Sequence, residues 1–543
     1  MELVEIRDLD GPNIFLLDPA IKVELSWSDQ DIGPEALADL ARRSASLAPH
    51  LESGSGLDGL GHLWREIVAA LHRQAGGEVP ETVWRQLETA GRVVVAYGWQ
   101  RRAFALEVAK VLAGLATGGE LDPLTTHRLQ SLLAQPATEQ DQPAFLPDSA
   151  RTVPIIAITG TNGKTTTTRL IVHILREAGR RVGWSSSAGV FIEGDQVLDG
   201  DYTGPTGALR VLRDAHVDVA VLETARGGIL LRGLAYESND VGVFTNVSPD
   251  HLDLHGIRTV EGLARAKATV LRVTRPDGYT VLNADDPLVV ALNGTLRARS
   301  FLISRRHDNP HVAAHQEEGG ATLVVADGAL ALTMEGIETR IVALSDIPMT
   351  FGGRAGHMVE NALCGAAACL GLGLSAGDVA SGLASFRNSP QQNTGRLNVY
   401  NIDGVTVIVD YAHNEAGLKN LLEFGRGYLG EGGRLVSIIG TAGDRTDDAL
   451  RALGAMAANA SDRVIIKRTT KYLRGRSAAE MDRLFQEGIK AGNGKTAPVE
   501  PSEQDALRSA LTDTRRGDVI TMMCIEQVAE VQRDLSAQGA PLS

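Results

Sequence analysis

A turn rich in glycine and threonine, placed between an apolar run and a helical segment, is the pattern in this sequence that most directly indicates chemistry. It reads Thr159-Gly160-Thr161-Asn162-Gly163-Lys164-Thr165-Thr166 and follows the apolar residues 153–158. Glycines let backbone N–H groups approach phosphate oxygens, and the next helix directs its positive end at the anion. We expect Lys164 to contact the β- and γ-phosphates and Thr165 to place its hydroxyl on Mg²⁺. The generic pattern has glycine where Ile158 stands, so this is a compact variant; the alternative is a turn with an accidental lysine.

Further polar motifs follow this phosphate loop in a fixed order. They are Glu223 in VLETARGGIL, NVSPDH at 246–251, Lys267 in ARAKATV, NADD at 283–286, His357 and Asn361 in GHMVENAL, Arg396 in NTGR, and DYAHN at 410–414. Together with GTNGKTT, this series resembles the Mur ligase superfamily, the ATP-dependent amide ligases of peptidoglycan, folate and cyanophycin chemistry. The resemblance runs from about Val153 to the C-terminus. It implies an enzyme that activates a carboxylate with the ATP γ-phosphate and then lets an amine attack the acyl phosphate.

The resemblance assigns metal-binding roles to three side chains. It implies that Glu223 is a magnesium ligand, that His251 is a ligand of a second metal, and that Lys267 is carbamylated and helps to hold that metal. Each residue also has a plainer interpretation. Glu223 could form a salt bridge to Arg226 or Arg232, His251 could be a structural hydrogen-bonding group, and Lys267 could be an exposed helix lysine.

The resemblance also divides nucleotide binding between two domains. Asn283 and Asp285 would bind adenine and ribose, in addition to the loop residues Gly160, Thr161, Asn162, Gly163, Lys164, Thr165 and Thr166. Arg396, at the start of the last domain, would reach phosphate, and Asp410, with His413 beside it, would reach ribose. Closure of that domain would exclude water from the acyl phosphate. Lys164, Glu223, His251 and Lys267 are the expected catalytic set.

A narrower resemblance is to the cyanophycin synthetases. It rests on Gly200-Asp201-Tyr202-Thr203-Gly204-Pro205, on the ETARGGIL string after Leu222, on Leu473-Arg474-Gly475-Arg476, and on the opening IRDLDGPN. In those enzymes an ATP-grasp module lies between the two parts, where this chain has a short Pro-rich segment. Thr394 replaces the usual proline, and residues 468–472 are basic where the cyanophycin enzymes tend to be acidic. These departures make arginine doubtful as the incoming amine and favour an anionic substrate.

The order of apolar runs predicts an α/β chain in three parts. We expect an α+β N-terminal domain at 1–134, a linker at 135–152, a central ATP-binding domain with a parallel sheet at 153–395, and a smaller Rossmann-like C-terminal domain at 396–543. Residues 62–71 and 104–115 have helical periodicity. Leu3–Ile6 and Ile14–Leu17, on either side of Gly11-Pro12-Asn13, predict a pair of strands. Residues 301–349 predict a small antiparallel excursion.

Composition limits the class of protein and its partners. Lysine plus arginine number 53 and aspartate plus glutamate 67, a net charge of −14, which argues against a protein that coats nucleic acid or anionic membranes. Cys364, Cys369 and Cys524 suit a reducing cytosol rather than a disulfide framework. We expect a cytoplasmic ligase for a small amino compound and a carboxylate or peptide, using ATP and Mg²⁺, and forming a homo-oligomer. The alternatives are a cell-wall or folate-type ligase, or a nucleotide-binding scaffold without activity.

Overall fold

Three β-sheets organise the chain. The computed structural model describes residues 1–47, 55–250, 252, 256–539 and 541–542. In these ranges the sheets have four, eleven and seven strands, in chain order. The predicted α/β class is confirmed, with a small antiparallel N-terminal sheet, a large and mostly parallel central sheet, and a mixed C-terminal sheet.

The N-terminal domain packs helices on an antiparallel sheet with the order β1-β2-β4-β3. Its strands are β1 (Glu2–Leu9), β2 (Ala20–Ser26), β3 (Thr82–Gln86) and β4 (Arg92–Gly98), and its helices are α1 (Pro34–Arg43), α2 (Gly56–Ala75), α3 (Arg102–Ala116) and α4 (Thr125–Ala134). The periodicity predicted within α2 is confirmed, since Leu63, Ile67 and Leu71 are fully buried. The helix predicted at 104–115 is also present, as α3.

The predicted pairing of Leu3–Ile6 with Ile14–Leu17 is wrong, because β1 pairs with β2 instead. Residues 14–17 form a turn around Asn13, whose Oδ1 accepts hydrogen bonds from the N–H groups of Phe15 and Leu16. The preceding residues dock on the central domain. Asp10 N–H donates to the carbonyl of Arg232 over 2.8 Å, and a Cβ on Gly11 would lie 1.9 Å from the Leu234 carbonyl oxygen. The DGPN sequence, residues 10–13, therefore forms a contact between the N-terminal and central domains.

The segment predicted as a linker, 135–152, lies along the neighbouring domains. Asp141 accepts the N–H of Ala103 over 2.8 Å, and Leu146 N–H donates to the carbonyl of Ala235 over 2.8 Å. Arg151 forms an ion pair with Asp240 at 2.7 Å. These contacts fix the course of the segment between the N-terminal and central domains.

The central domain is built on the eleven-stranded sheet. Its strands are β5 (Ile155–Thr159), β6 (Val182–Ser186), β7 (Gly189–Ile192), β8 (Asp195–Leu198), β9 (Val219–Glu223), β10 (Asn239–Phe244), β11 (Thr274–Asn283), β12 (Arg299–Ser304), β13 (Ala321–Ala326), β14 (Ala329–Met334) and β15 (Ile337–Ala343). Its helices are α5 (Lys164–Glu177), α6 (Pro205–Leu212), α7 (Arg226–Leu231), α8 (Val260–Lys267), α9 (Thr269–Arg272), α10 (Pro287–Val290), α11 (Pro310–Glu317), α12 (Gly356–Gly371) and α13 (Ala376–Ser385).

The strand order of this sheet is β15-β14-β13-β12-β11-β10-β5-β9-β6-β7-β8. The strands from β13 to β6 in that order are parallel, and both edges are antiparallel. The predicted antiparallel excursion is the hairpin pair β13 to β15. Because β11, β10, β5 and β9 are parallel neighbours, the polar residues that follow them come together at one sheet edge.

The C-terminal domain has a sheet of order β20-β19-β18-β21-β17-β16-β22, parallel from β20 to β17. Its strands are β16 (Asn398–Ile402), β17 (Val405–Asp410), β18 (Leu435–Ile439), β19 (Arg463–Lys467), β20 (Val499–Glu500), β21 (Val519–Met523) and β22 (Pro541–Leu542), and its helices are α14 (Glu415–Arg426), α15 (Asp447–Ala460), α16 (Ala478–Asn493), α17 (Glu503–Thr512) and α18 (Val528–Gln538).

In the described part of the chain no helix is both long and apolar enough to cross a bilayer. The three cysteines are buried free thiols.

Candidate active site

The phosphate loop joins β5 to α5 and requires glycine at two positions. Gly160 has φ +149° and Gly163 has φ +86°, which are backbone angles that side chains disfavour. Space is also lacking: a Cβ would lie 1.9 Å from Thr245 Oγ1 at the first position and 2.1 Å from Asn361 Oδ1 at the second. Gly163 is the N-cap of α5, so the helix presents its first N–H groups to the loop.

The segment after β10 holds the loop in this shape. Thr161 N–H donates to the carbonyl of Asn246 over 2.8 Å, and Asn162 N–H donates to the side-chain oxygen of Asn246 over 3.0 Å. Thr245 Oγ1 donates to the carbonyl of Asn162 over 2.7 Å. Each contact joins the loop after β5 to the residues after β10, its parallel neighbour, so hydrogen bonds within the protein hold the conformation of the loop.

Lys164, Thr165 and Glu223 meet at the start of α5. Lys164 Nζ donates to the carbonyl of Thr161 over 2.9 Å, and Thr165 Oγ1 donates to Glu223 Oε1 over 3.1 Å. Glu223 is only 3% exposed, and burial raises its pKa, with Lys164 and Arg396 acting in the opposite direction. A salt bridge from Glu223 to Arg226 or Arg232 is not among the ion pairs of the described residues. Glu223 is thus a buried carboxylate that faces a hydroxyl and two nearby cations.

Lys267 is a buried residue rather than an exposed helix lysine. It ends α8, is 4% exposed, and donates from Nζ to the carbonyl of Gly160 over 2.5 Å. Burial lowers its pKa well below the usual value, and the neighbouring Lys164 lowers it further. A lysine with a lowered pKa is neutral for more of the time, and the neutral amine is the form that reacts with CO₂.

His251 lies outside the described residues, but its neighbour Asp250 is described. Asp250 forms an ion pair with Arg445 at 3.1 Å, and its Oδ2 lies 4.0 Å from His413 Nε2. Both partners belong to the C-terminal domain. The segment before His251 is therefore in contact with that domain.

The C-terminal domain covers the phosphate loop. Arg396 stacks on the ring of Tyr411, with its Cζ 4.2 Å from the ring centroid, and its Nη2 lies 3.4 Å from Thr165 Oγ1. Asp410 Oδ2 accepts the N–H of Leu397 over 2.8 Å. Burial raises the pKa of Asp410 to about 6, although Arg396 opposes the shift. Arg396 thus contacts the loop, and Asp410 and His413 line the same cavity as the loop residues.

A cavity of about 260 Å³ lies between the two domains at this edge. It is lined by the loop residues 161–166 and, from the facing elements, by Asn246, Ser248, Arg305, His357, Met358, Glu360, Asn361, Arg396, Leu397, Asp410, Tyr411, Ala412, His413, Ala416, Gly417, Asn420 and Leu421. Burial, together with nearby Arg305, lowers the pKa of His357 to about 4, and burial raises that of Glu360 to about 7. The cavity therefore combines loop N–H groups with cations and a carboxyl that titrates near neutrality.

Asn283 and Asp285 lie beside this cavity and are not among its lining residues. Asn283 Nδ2 donates to the carbonyl of Thr245 over 2.8 Å. Asp285 accepts the hydroxyl of Ser304 over 2.7 Å and the side-chain amide of Asn309 over 3.1 Å. In this structure both side chains hold neighbouring loops, and their predicted contact with adenine and ribose stays a prediction.

Sequence reasoning gave no role to Glu360, which accepts a hydrogen bond from Asn246 Nδ2 over 2.9 Å. A signal was present, since positions 357, 360 and 361 of GHMVENAL share one face of α12. It also missed Asn414, whose side chain bonds to that of Asn162. A contact between residues so distant in sequence has no local signature.

The oxygen donors around Thr165 suit Mg²⁺. The hydroxyl of Thr165 and the carboxylate of Glu223 are hard ligands, and Mg²⁺ is commonly held by one or two protein oxygens plus phosphate oxygens and water. In the described ranges no cluster of three or more His, Cys, Asp or Glu could hold a metal by itself. The arrangement fits a metal that arrives with a nucleotide.

Two segments noted in the sequence, residues 200–205 and the basic segment 468–476, are held by contacts with neighbouring elements. Ala225 N–H donates to the carbonyl of Thr203 over 3.0 Å, which ties the loop at 200–205 to the end of β9. In the basic segment, Arg468 pairs with Asp482 at 2.8 Å and Arg476 pairs with Asp447 at 2.7 Å. The remaining cations of that segment are Lys471 and Arg474, which are exposed and form no ion pair within the described residues.

Comparison with known proteins gives matches over most of this region. The model of the Mur ligase middle domain matches residues 158–369, and that of the Mur ligase glutamate ligase domain matches residues 395–524. A cyanophycin synthetase of Crocosphaera subtropica is 41% identical over 382 residues, which are 70% of this chain and 43% of that protein. The chain spans about half the length of the cyanophycin synthetases it matches.

Two other proteins are similar over more of their own length. The UDP-N-acetylmuramoyl-L-alanyl-D-glutamate–2,6-diaminopimelate ligase of Geobacillus thermodenitrificans is 30% identical over 395 residues, 69% of this chain and 74% of the relative. A crystal structure of the bifunctional folylpolyglutamate synthase/dihydrofolate synthase of Yersinia pestis, with AMPPNP and a Mn ion, superposes with a TM-score of 0.52 at 21% identity, covering 70% of this chain and 89% of the other. This last likeness concerns the fold.

Proposed function

We infer that this chain, which belongs to the Mur ligase family of ATP-dependent acid–amino acid ligases, joins an amino compound to a side-chain carboxylate in a single amide or isopeptide bond. The observation that carries the proposal is that Lys164, Thr165 and Arg396 line one cavity between two domains, while the buried Glu223 and Lys267 hydrogen-bond to the phosphate loop from behind. A site that only held a nucleotide would need the loop. It would not need a buried carboxylate and a buried lysine behind the loop.

The proposed reaction has two steps. The acceptor carboxylate attacks the γ-phosphorus of ATP, an O–P bond forms, and ADP leaves with the electrons of the broken bond. The amine nitrogen then attacks the acyl carbon, phosphate leaves, and the nitrogen loses a proton. Lys164 and Arg396 are placed to meet the negative charge on the transferred group. The cover of the C-terminal domain excludes water, which would otherwise hydrolyse the acyl phosphate.

The metal in this proposal is Mg²⁺, held by Thr165 and Glu223 together with phosphate oxygens. When bound, it would neutralise phosphate charge during transfer. The donor set described above supports this assignment, and so does the Mn ion in the folylpolyglutamate synthase structure with AMPPNP. The assignment of a second metal to His251 and a carbamylated Lys267 remains a prediction from the resemblance.

The cyanophycin synthetase relatives support an aspartate side chain as acceptor, and the basic segment bears on the amine. The side chains of Lys471 and Arg474 form no ion pair in the described part of the chain, while the Glu526 carboxylate accepts backbone N–H groups of residues 470–472. Cations at that position favour an amine substrate that carries its own negative charge, such as an acidic amino acid. Arginine would be repelled there, so we propose that it is not the preferred amine.

One ligation site supports one class of bond. α4 ends at Ala134 and β5 begins at Ile155, so only residues 135–154 separate the N-terminal helices from the first strand of the central domain. This segment is too short to contain an ATP-grasp module. A polymer built by alternating backbone and side-chain ligations would need a second activating site, so we propose that the product carries one new bond per acceptor carboxylate.

The alternative functions, a cell-wall ligase, a folate-type ligase and a nucleotide-binding scaffold, differ from this proposal in observable ways. A cell-wall ligase would act on a UDP-linked acceptor, whereas the N-terminal sheet described for this chain is antiparallel. The glycines at 54, 56 and 59 come after α1 in the sequence and not after a strand of a parallel βαβ unit, which is where a dinucleotide fingerprint stands. A folate-type ligase would add glutamate to a pterin-bearing acceptor. A scaffold would bind ATP without turnover, and the buried Glu223 and Lys267 argue against it.

The test is an assay of phosphate release with ATP and Mg²⁺ over a panel of amino acids and aspartate-containing peptides, followed by mass spectrometry of the products. We expect ADP, phosphate and a product heavier than the acceptor by one amine minus water. The variant Lys164→Ala should lose activity by about 10²-fold or more, whereas Lys419→Ala, which changes an exposed lysine, should not. A regular ladder of high-mass products from ATP, aspartate and arginine would refute the single-bond proposal, and ATP binding without turnover on any substrate would favour the scaffold.

A further inference from the structure

A second, larger cavity lies where the N-terminal domain meets the central domain. Its volume is about 570 Å³, within the range of roughly 300–1,000 Å³ that small-molecule sites occupy. One wall is formed by β1, β2 and the residues around the end of β3, and the other by α7, α8 and α9. Among the described residues, it shares no lining residue with the nucleotide cavity.

Arginine side chains from both domains line this cavity. Arg85 comes from the N-terminal domain, and Arg265 and Arg272 come from α8 and α9. Arg85 is exposed at the surface but its guanidinium is partly desolvated by the surrounding protein, which lowers its pKa, and the charges of Arg272 and Arg265 lower it further. The three guanidinium groups are therefore close enough to repel one another, and an anion between them would relieve that repulsion.

The carboxylates that line the cavity already have partners. Glu5 and Glu24 both form ion pairs with Lys22, at 3.0 and 2.6 Å. Glu88 forms an ion pair with Arg265 at 2.6 Å. Arg85 and Arg272 form no ion pair within the described residues, and Arg85 Nη1 donates to the carbonyl of Ile14 over 3.0 Å. Two positive charges thus remain for a ligand.

Apolar side chains also line the cavity, beside Gln86 and Arg7, the latter paired with Glu5. Phe15 lies under Arg85, with 5.4 Å from the guanidinium carbon to the ring centroid, and Leu230 and Leu231 at the end of α7 face the same space. An inorganic ion would leave this apolar surface exposed to water. A ligand with a hydrocarbon body would cover it while its charged groups met the arginines.

We propose that this interdomain cavity is a second binding site, which takes an organic molecule carrying two or more carboxylate or phosphate charges between Arg85 and Arg272. A planar guanidinium group can bind either a carboxylate or a phosphate through two parallel hydrogen bonds. Arg85 and Arg265 are exposed, so the site is open to solution. The site does not depend on the reaction proposed above.

The experiment is calorimetric titration of the full chain with ADP and Mg²⁺ at saturation, so that the phosphate loop is occupied. Succinate and citrate probe carboxylates, glycerol 3-phosphate probes an organic phosphate, and inorganic phosphate tests the need for an organic body. We expect saturable binding of a carboxylate or of the organic phosphate, and the stronger series identifies the natural chemistry. The affinity should fall at least about tenfold in Arg85→Gln/Arg272→Gln, the equivalent of about 1.4 kcal/mol.

Arg213→Gln, which changes an exposed arginine outside the cavity, is the matched control and should bind as the parent does. ADP affinity should be the same in all variants, which also verifies that each is folded. No saturable binding of any probe, equal affinity in the double variant, or binding of inorganic phosphate alone would overturn the proposal.

Discussion

Asn162 of the phosphate loop and Asn414 of the C-terminal domain exchange two hydrogen bonds across the nucleotide cavity. Asn162 Nδ2 donates to Asn414 Oδ1 over 3.3 Å, and Asn414 Nδ2 donates to Asn162 Oδ1 over 3.1 Å. The same Asn414 Oδ1 accepts the N–H of Gly417 over 2.9 Å and so caps α14. One side chain therefore both begins a helix and holds two domains together.

Asn414→Ser should separate these two roles. Serine is a good N-cap, so α14 should remain stable, but it is too short to reach Asn162. Two lost hydrogen bonds of about 0.5–1.5 kcal/mol each should raise the KM for ATP roughly tenfold. Small-angle scattering should show a larger radius of gyration without nucleotide. An unchanged KM and an unchanged radius would mean that the pair does not hold the domains closed.

The sequence allowed the loop and its surroundings to be predicted because they are local. A strand, two glycines and a helix start within a few residues determine the geometry of 159–166. The residues that follow parallel strands, such as Glu223, meet at one edge for the same topological reason. The pairing of Asn162 with Asn414 depends on how two domains dock, and no local pattern encodes that.

The errors have equally physical causes. Ile14–Leu17 is apolar enough for a strand, but the side chain of Asn13 accepts the N–H groups of Phe15 and Leu16 and forms a turn. Ile14 and Leu17 pack against the core of the central domain, and Leu16 packs with Leu9 and Ala20. For Lys267 the alternative of an exposed helix lysine is excluded, whereas its predicted metal-binding role stays a prediction. Its burial follows from the packing of α8 behind the loop, which only the tertiary structure shows.

Glu223→Gln tests the metal assignment. The variant keeps a side-chain oxygen for the Thr165 hydroxyl but removes the charge. We expect the Mg²⁺ concentration for half-maximal activity to rise at least about tenfold, while thermal stability is unchanged or higher, because an uncharged group is easier to bury. Activity measured across a Mg²⁺ titration gives the answer. The exposed Glu423→Gln is the control, and a Mg²⁺ dependence identical to the parent would remove Glu223 from the site.

Lys267→Ala tests the buried lysine behind the loop. The change removes the 2.5 Å bond from Nζ to the Gly160 carbonyl and leaves a space beside the metal position. We expect a loss of turnover of about 10²-fold. If the side chain is carbamylated, added formate or acetate should restore part of the activity, because a small carboxylate can replace the lost anion.

The modification itself is detectable in the unchanged protein. A carbamate should give a carbonyl signal with ¹³C-labelled bicarbonate, and activity should fall in CO₂-depleted buffer. An unmodified ammonium at full activity in that buffer would rule the modification out and leave Lys267 as a loop-positioning residue.

The raised pKa of Glu360 predicts that nucleotide binding depends on pH. Burial raises its pKa to about 7 from 4.5, so it is neutral below that pH and negative above it. A negative charge in the nucleotide cavity repels ATP phosphates, so the KM for ATP should rise as the pH increases from 6 to 8. Glu360→Gln should lack this rise. Parallel pH profiles for the two proteins would show that Glu360 does not titrate in this range.

Glu88 links the N-terminal domain to the helix that carries Lys267. Its Oε2 accepts the N–H groups of Arg258 and Thr259 over 2.7 and 2.9 Å, at the start of α8, and a Cβ on Gly262 would lie 2.0 Å from Oε1. A carboxylate at a helix N-terminus stabilises that end.

Glu88→Ala should therefore loosen α8 and, through it, Lys267. We expect destabilisation of about 1–2 kcal/mol, as for the loss of a helix cap, with kcat reduced and the KM for ATP nearly constant. Gly262→Ala should act in the same direction by displacing Glu88. Glu261→Ala, which removes an exposed glutamate from the first turn of the same helix, controls for general helix charge. If the Glu88 and Glu261 variants behave alike in denaturation and kinetics, the N-terminal domain does not position Lys267 through this contact.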